Sequence, residues 1–225
     1  MGEMNMTPFL DSEAGRETVR AFLHTATNAS GDGFVLTHGA GANCQSPLLV
    51  AVSAALCGLG FSVLRCDLPF RQLRPHGPPP RGSAERDQQG LRRAVEAMRR
   101  LVPGRVFMGG HSYGGRQATI LAAAEPELVD GLLLLSYPLH PPKRPTELRT
   151  AHFPALRTPA LFISGERDGF GSFEEITSAL RLIPARSKLI PIAAAGHELL
   201  TKRNAKELPA MIAELASDFF RLEKL

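Results

Sequence analysis

The five residues Gly110–Gly114 (GHSYG) contain the serine whose surroundings best suit covalent chemistry. The apolar run RVFM before them predicts a strand, and the alanine-rich segment after them predicts a helix. In a sharp strand-to-helix turn, the Ser112 hydroxyl would stand clear of the sheet beside a helix N-terminus, which favours developing negative charge. We therefore expect Ser112 to act as a nucleophile; the alternative is a glycine-rich turn with an incidental serine.

A serine hydroxyl needs a neighbouring base, and the base needs an acid that orients it. Of the seven histidines, His197 follows the apolar run KLIPI and precedes the last helical segment, as the chain order Ser…Asp…His requires. Glu166 and Asp168 both follow the run ALFIS. We prefer Asp168, because the loop can turn after Gly165 and aim the later carboxylate at the histidine. A surface histidine and a helix-capping aspartate are the alternatives to this triad.

Two backbone N–H groups are expected to face the reacting carbonyl oxygen, because a tetrahedral intermediate needs donors for its oxyanion. One is the N–H of Tyr113, the residue after the candidate nucleophile. The other should come from the turn His38–Gly41 (HGAG), which follows the apolar run GFVLT. Within that turn we assign the N–H of Ala40, since the glycines on both sides let the backbone approach a substrate.

Arginines beside this chemistry are candidates for substrate recognition. Arg71 and Arg74 lie in residues 67–82, a segment rich in proline, arginine and glycine that predicts a loop at the same edge of the sheet. Arg116 lies at the start of the helix after Ser112. A guanidinium can hold a carboxylate or phosphate through paired hydrogen bonds, so these arginines predict binding of an anionic part of the substrate. Salt-bridged or solvated arginine is the alternative.

The candidate residues lie in the loops of a chain that alternates apolar runs with amphipathic segments. This alternation predicts right-handed βαβ units, a mostly parallel sheet and helices on both of its faces. Residues 67–82 and 138–159 predict irregular connections, the second too short for a helical lid, and residues 18–24 add one strand. The other predicted strands are 33–38, 61–66, 105–108, 131–135, 160–164 and 188–192, and the predicted helices are 46–59, 83–102, 113–124, 173–182 and 203–222.

Length and composition limit the classes of function. The 225 residues predict a single domain, 1–225, and 44% hydrophobic residues is ordinary for a globular protein. The net charge of +4 comes from scattered basic residues, so nucleic-acid binding is not expected. We recognise no signal peptide and no membrane span, and expect a cytoplasmic protein. Cys44, Cys57 and Cys66 lack metal-binding or disulfide spacing, and we expect neither a metal nor a cofactor.

Five motifs together resemble a known family. They are HGAGAN, DLPFRQLRPHGPPP, GGHSYGGRQA, SGERDGFG and AGHELL, within residues 33–222. The combination is similar to the small α/β-hydrolases related to testis-expressed protein 30 and NSL-complex subunit 3, and more distantly to dienelactone hydrolases. The resemblance implies the α/β-hydrolase fold and a serine hydrolase activity, but no particular substrate. Dienelactone hydrolases proper use a cysteine nucleophile, whereas this chain has Ser112, which argues against lactone specificity.

The sequence as a whole predicts a cofactor-free hydrolase of a small carboxylic ester or thioester, acting through an acyl-enzyme on Ser112. The protein would bind a small-molecule substrate as a monomer or homodimer. Two other classes stay open: a binding or scaffold protein that keeps the fold, and a peptidase or acyltransferase with the same triad. A complete triad argues against the scaffold, which has no need of all three groups.

Overall fold

A computed structural model describes residues 4–221, which form one sheet of eight strands with six helices. The predicted end of the last helix at Leu222, and both ends of the predicted domain 1–225, lie outside the described residues. The strands are β1 (Met4–Asp11), β2 (Val19–Ala26), β3 (Gly33–Thr37), β4 (Ser62–Cys66), β5 (Val106–His111), β6 (Gly131–Leu135), β7 (Ala160–Gly165) and β8 (Ser187–Ile192). The helices are α1 (Pro47–Gly58), α2 (Pro69–Leu73), α3 (Ala84–Leu101), α4 (Tyr113–Ala124), α5 (Phe173–Leu180) and α6 (Leu208–Arg221).

The strands follow the order β1-β2-β4-β3-β5-β6-β7-β8. Strands β3 to β8 run parallel to one another, whereas β2 pairs antiparallel with both β1 and β4. The predicted mostly parallel sheet is confirmed, and residues 18–24 form most of β2. The sequence pattern does not predict β1, because MNMTPFLD contains a proline and a single β-branched residue. Its pairing with β2 over eight residues holds it at the sheet edge.

Helices cover both faces of the central strands, as predicted. Along β3, Val35 packs into the core that includes α3, α4 and α5. Its neighbours Phe34 and Leu36 point into the core shared with α1 and α6, because successive side chains of a strand alternate between faces. In that second core the rings of Phe107 and Phe220 stack with centroids 4.4 Å apart. Burial on both faces explains why the central strands are unbroken apolar runs.

The structure corrects the predicted segments 67–82 and 203–222. Residues 67–82 are not a loop throughout, because α2 forms within them, with a proline at its start and Phe70 and Arg71 buried. Burial of these two side chains depends on the rest of the fold, which the composition of the segment does not reveal. The last helix begins at Leu208 rather than at residue 203, because the Thr201 N–H and hydroxyl donate to the Asn204 side chain in a separate turn.

The connection between β6 and β7, residues 136–159, is irregular as predicted and contains one 3₁₀ turn, Phe153–Ala155. Strand β8 lies at the sheet edge, as its proline predicts. Within residues 4–221, no helix combines the length and apolar character needed to cross a membrane. The loops that follow β3, β5, β7 and β8 carry the predicted site residues to the carboxyl edge of the sheet, where ligands of open α/β sheets bind.

Candidate active site

Ser112 occupies the turn between β5 and α4, with its backbone at φ 49° and ψ −116°. A non-glycine residue at positive φ is strained, and this strain is typical of a nucleophile at a strand-to-helix turn. The neighbouring glycines allow the close approach of backbones: a Cβ at Gly110 would clash with the Thr37 carbonyl oxygen. One at Gly114 would lie 2.6 Å from the His38 carbonyl oxygen. Strand β5 is longer than predicted and continues to the residue before Ser112.

The fold brings Ser112, His197 and Asp168 into one hydrogen-bonded row. The Ser112 Oγ lies 2.8 Å from His197 Nε2, and His197 Nδ1 lies 2.9 Å from Asp168 Oδ2. With Nδ1–H donating to the fully buried carboxylate, Nε2 presents its lone pair to the serine hydroxyl. Glu166, the competing acid, instead accepts a hydrogen bond from the Ala194 N–H. The arrangement allows His197 to take a proton from Ser112.

Two further residues hold the His197 ring and its loop. The Phe170 ring stacks on the imidazole with centroids 4.1 Å apart, and the Phe170 N–H donates to Asp168 Oδ1. His111 Nε2–H donates to the His197 carbonyl at 2.8 Å. Burial lowers the pKa of His111, so this second histidine stays neutral beside the first. Sequence reasoning missed both residues; the available signal was their position next to Asp168 and Ser112 in the chain.

The turn after β3 lies directly against the nucleophile. A Cβ at Gly39 would lie 3.5 Å from the Ser112 Cβ, and a hydrogen bond from the Ala42 N–H to the Gly39 carbonyl closes the turn. In the part of the chain that the structure describes, neither the Ala40 N–H nor the Tyr113 N–H makes a hydrogen bond. Both predicted oxyanion donors are therefore without a hydrogen-bond partner among the described residues.

Arg71 anchors the turn that carries Ala40. Its side chain is almost fully buried, and Nη2 and Nε each donate at 2.7 Å, to the carbonyls of Ala40 and Ala42. Other N–H groups of the guanidinium reach the carbonyls of Arg74 and Gly77. A guanidinium with these donors occupied cannot offer the open fork that binds a carboxylate. The structure thus favours a loop-positioning role for Arg71 over the predicted contact with substrate.

A histidine and an aspartate hold the two ends of the same turn. His38 Nδ1–H donates to the Gly39 carbonyl at 2.9 Å, and its Nε2 accepts the Leu68 N–H at 3.1 Å. Burial lowers the pKa of His38 to about 4, which keeps the ring neutral and able to accept. At the far end, Asp67 accepts the Cys44 N–H at 2.8 Å. The conformation of the turn therefore depends on the chain that follows β4.

The side chain of Tyr113 ties the nucleophile turn to the neighbouring helices. Its hydroxyl donates at 2.7 Å to Asp87 in α3, a fully buried carboxylate. Asp87 also accepts the Phe70 N–H in α2 at 3.0 Å and the Ser83 hydroxyl at 3.2 Å. These contacts fix the side chain of the residue that directly follows Ser112. Sequence reasoning missed Asp87, which is 26 residues from Tyr113 and has no local motif.

A cleft of about 360 Å³ opens at Ser112 and His197, and residues 39–42, His111 and Phe170 form much of its wall. This volume suits a small molecule. A larger cavity of about 630 Å³ lies against β1 and β2 and contains none of the three residues of the hydrogen-bonded row. The chemistry therefore points to the smaller cleft as the reaction site.

The other two predicted arginines differ in their surroundings. Arg74 is exposed in the segment after α2. Arg116 is half-buried one helical turn beyond Ser112, whose carbonyl accepts the Arg116 N–H at 3.0 Å. The Nε of Arg116 is buried without a hydrogen-bond partner among residues 4–221. The structure thus brings Arg116, rather than Arg71 or Arg74, close to the nucleophile with donors to spare.

The cysteines and other metal-binding side chains form no second reactive centre within residues 4–221. Cys44, Cys57 and Cys66 are buried and free of disulfides. Burial raises the pKa of Cys44 to about 12, so its thiol stays protonated and unreactive at neutral pH. Residues 4–221 contain no group of three histidine, cysteine or carboxylate side chains arranged to hold a metal ion.

The segments that meet at the carboxyl edge come in the chain order serine, aspartate, histidine, on a mostly parallel sheet with flanking helices. This order and this sheet are those of the α/β-hydrolases. A comparison with family models agrees with the fold: residues 31–221 match the model described as Alpha/beta hydrolase domain. The chain belongs to that family.

Three solved structures share the fold over nearly their whole length. A dienelactone hydrolase from Anabaena variabilis is 23% identical, with 96% of this chain and 97% of that one covered and a TM-score of 0.72. Est1E from Butyrivibrio proteoclasticus is 17% identical, with 95% and 99% covered and a TM-score of 0.75. An α/β serine hydrolase without a lid from Xanthomonas campestris is 17% identical, with 96% and 95% covered and a TM-score of 0.72. The expected fold with little or no lid is confirmed.

Proposed function

We propose that the protein is a serine hydrolase that cleaves a small carboxylic ester or thioester through an acyl-enzyme on Ser112. The observation that carries the proposal is the contact of Ser112 Oγ with His197 Nε2 at 2.8 Å, continued by His197 Nδ1 and Asp168 Oδ2 at 2.9 Å. Both distances are those of hydrogen bonds. The first lets the serine proton pass to His197 Nε2, and the second holds the imidazole in the tautomer that can accept it.

In the first half of the reaction, Ser112 Oγ attacks the carbonyl carbon and His197 Nε2 takes the hydroxyl proton. The carbonyl oxygen becomes an oxyanion, to which the N–H groups of Ala40 and Tyr113 donate. Asp168 stabilises the imidazolium without taking its proton. When the intermediate collapses, the bond to the leaving oxygen or sulfur breaks, and His197 gives the proton to that atom.

In the second half, water attacks the acyl carbon of the Ser112 ester while His197 accepts a proton from the water. The new tetrahedral intermediate again places its oxyanion at the Ala40 and Tyr113 N–H groups. Its collapse releases the carboxylic acid, and His197 returns the proton to Ser112 Oγ. The cycle leaves every group as it began and requires water as the only co-reactant.

The shape of the site supports a small substrate. The cleft has a volume of about 360 Å³, and the β6–β7 connection contributes only one 3₁₀ turn. A long lipid chain would therefore remain in water. We extend the proposal to a narrower relation to testis-expressed protein 30 and NSL-complex subunit 3, to a cytoplasmic location, and to a monomeric or homodimeric state.

Hydrolysis of 4-nitrophenyl acetate and butyrate, and of a matched thioester, tests the proposed function. We expect the wild type to turn over, and Ser112→Ala to lose about four orders of magnitude or more in kcat with its fold intact by circular dichroism. Ser178→Ala, which removes an exposed hydroxyl on α5, is the matched control and should keep the wild-type rate.

The same experiment separates the alternative classes. A folded wild type that turns over none of these substrates would move the binding or scaffold protein ahead of the hydrolase. Product analysis with added alcohols and amines distinguishes transfer of the acyl group from its release to water. Cleavage of a peptide amide in preference to both esters would identify a peptidase on the same residues.

A further inference from the structure

A group of basic side chains lies between α4, which begins directly after Ser112, and the β6–β7 connection. Arg116 comes from the first turns of α4, and Arg149 and His152 come from the connection. Thr119 joins the two elements: its hydroxyl donates to the Arg116 carbonyl at 2.8 Å, and its oxygen lies 2.8 Å from His152 Nε2. On the other side, the buried Tyr137 hydroxyl donates to the Arg149 carbonyl at 2.7 Å. We call Arg116 and Arg149 the arginine pair.

The arginine pair has no carboxylate partner among the described residues. Arg116 Nε is buried without a hydrogen bond, and the Arg149 side chain makes only a long contact, 3.5 Å, from Nη1 to the Pro138 carbonyl. Two other arginines removed from water are compensated by the chain: Arg105 forms an ion pair with Asp32 at 2.8 Å, and the donors of Arg71 are occupied by backbone carbonyls. An uncompensated cation away from bulk water is costly, so this pair is built for a counter-charge that the chain does not supply.

The charges of the pair act on each other and on their neighbours. Burial lowers the pKa of Arg149, and the nearby Arg116 lowers it further. Burial and then Arg116 lower the pKa of His152 to about 4, so the imidazole is neutral at pH 7. Glu147 is the acid whose charge reaches Arg149, and it is exposed and paired with Arg144. Two guanidinium groups with little compensation thus dominate the local charge.

Both members of the arginine pair belong to segments that are linked to the reaction site. Arg116 follows Ser112 by four residues, which places it one turn along the same helix face, about 6 Å along the axis. Side chains of a helix lean toward its N-terminus, which in α4 is the end that follows Ser112. Arg149 is held by a hydrogen bond from its N–H to the Leu139 carbonyl. Leu139 in turn lies against Gly171, one residue after Phe170 of the cleft wall.

We propose that the arginine pair is an anion subsite, and that the natural ester or thioester carries a carboxylate or phosphate group within reach of Arg116 and Arg149. The inference rests on the proposed hydrolase function and adds the substrate class. Paired guanidinium groups suit a carboxylate or a phosphate, since both acceptors can receive two parallel N–H groups. The subsite would orient the substrate and favour charged over neutral esters.

Four synthetic substrates test the subsite on both sides of the scissile bond. Mono-4-nitrophenyl adipate and its terminal amide place a charge or its neutral isostere on the acyl side. The second pair, 4-carboxyphenyl acetate and 4-carbamoylphenyl acetate, places a charge or its neutral isostere on the alcohol side. We expect the wild type to prefer the charged member of at least one pair about tenfold or more in kcat/KM, mainly through KM. Added salt should reduce this preference.

Arg116→Gln and Arg149→Gln should each reduce that preference to about threefold or less. Their rates on the two neutral esters, which carry a terminal amide, should stay within about threefold of wild type. Arg157→Gln, an exposed arginine beyond the 3₁₀ turn, is the matched control and should keep the preference. An active wild type that is indifferent to charge on both sides, or variants that retain the preference, would overturn the anion subsite alone. Inactivity toward all four esters would overturn the proposed function with it.

If a variant fails to fold, the effect of salt on the wild-type preference for charged esters still tests the anion subsite. A preference for the charged ester that stays constant from low to high ionic strength would contradict recognition by the arginine pair. A preference that falls with ionic strength, while the hydrolysis rates of the neutral esters stay constant, would support recognition by the arginine pair. Comparing phosphate with acetate as competitive inhibitors then ranks the two anion chemistries.

Discussion

The Ser112 hydroxyl owes its expected reactivity to groups that hold its base in place. Asp168 fixes the Nδ1–H of His197, Phe170 covers one face of the ring, and the neutral His111 holds the carbonyl of the same residue. An imidazole restrained in this way loses little entropy when it accepts the serine proton. At the residue scale, the site is therefore preorganised before any substrate binds.

Substitution of the acid tests this account of His197. Asp168→Asn would allow the wrong imidazole tautomer, and we expect kcat to fall by about 10⁴ with KM little changed. Glu166→Gln is the matched control, because Glu166 lies two residues earlier and contacts the Ala194 N–H instead. It should stay within about threefold of wild type in the same ester assay. Equal losses in both variants would contradict the assignment of Asp168.

At the scale of elements, the turn after β3 depends on chain segments far from it in sequence. Arg71 in α2 and Asp67 before it hold the carbonyl and N–H groups of residues 40–44. Helix α2 is in turn held by Asp87 of α3, which accepts the Phe70 N–H. The segment rich in proline and arginine therefore supports the turn that carries Ala40, one of the two predicted oxyanion donors.

Arg71→Gln should separate the support role from substrate binding. Loss of the bonds to the Ala40 and Ala42 carbonyls would let the turn move, and we expect kcat to fall about tenfold or more for neutral and charged esters alike. Arg74→Gln, which changes an exposed neighbour, should leave kcat within about twofold. If Arg71→Gln instead raised KM for charged esters alone, Arg71 would be a substrate ligand after all.

The elements that sequence predicts well are those with a local signal. The buried strands are unbroken apolar runs, and α4 follows directly from the turn at Ser112, so both were predictable. Strand β1 exists through its pairing with β2, and α2 through burial of Phe70 and Arg71, neither of which a local pattern shows. The same distinction applies to the site: glycine spacing predicts Ser112, whereas Asp87 contributes through the fold alone.

At the scale of the whole molecule, buried neutral histidines make stability depend on pH. Burial, with a smaller contribution from Arg65, lowers the pKa of His24 to about 4, and burial lowers that of His38 to about 4. Both would titrate near 6.5 when unfolded, so between pH 6.5 and 4 the unfolded chain binds more protons. The free energy of unfolding must therefore fall as pH falls through this range. The stabilising contribution of the two neutral histidines is complete above pH 6.5.

Urea denaturation at pH 7, 6 and 5 measures this effect. A shift from 6.5 to about 4 corresponds to a total on the order of 3 kcal/mol for each histidine, much of it lost by pH 5. His24→Gln should flatten the pH dependence, whereas His76→Gln, at an exposed position, should not. A wild type as stable at pH 5 as at pH 7 would contradict neutral burial of these rings.

The central claim is that Ser112 is an activated nucleophile, and labelling with a fluorophosphonate followed by peptide mapping tests it most directly. We expect covalent modification of the wild type at Ser112, none at that position in Ser112→Ala, and slow labelling in His197→Gln. Labelling that stays at its wild-type level in Ser112→Ala, or no labelling of a folded wild type, would contradict the claim.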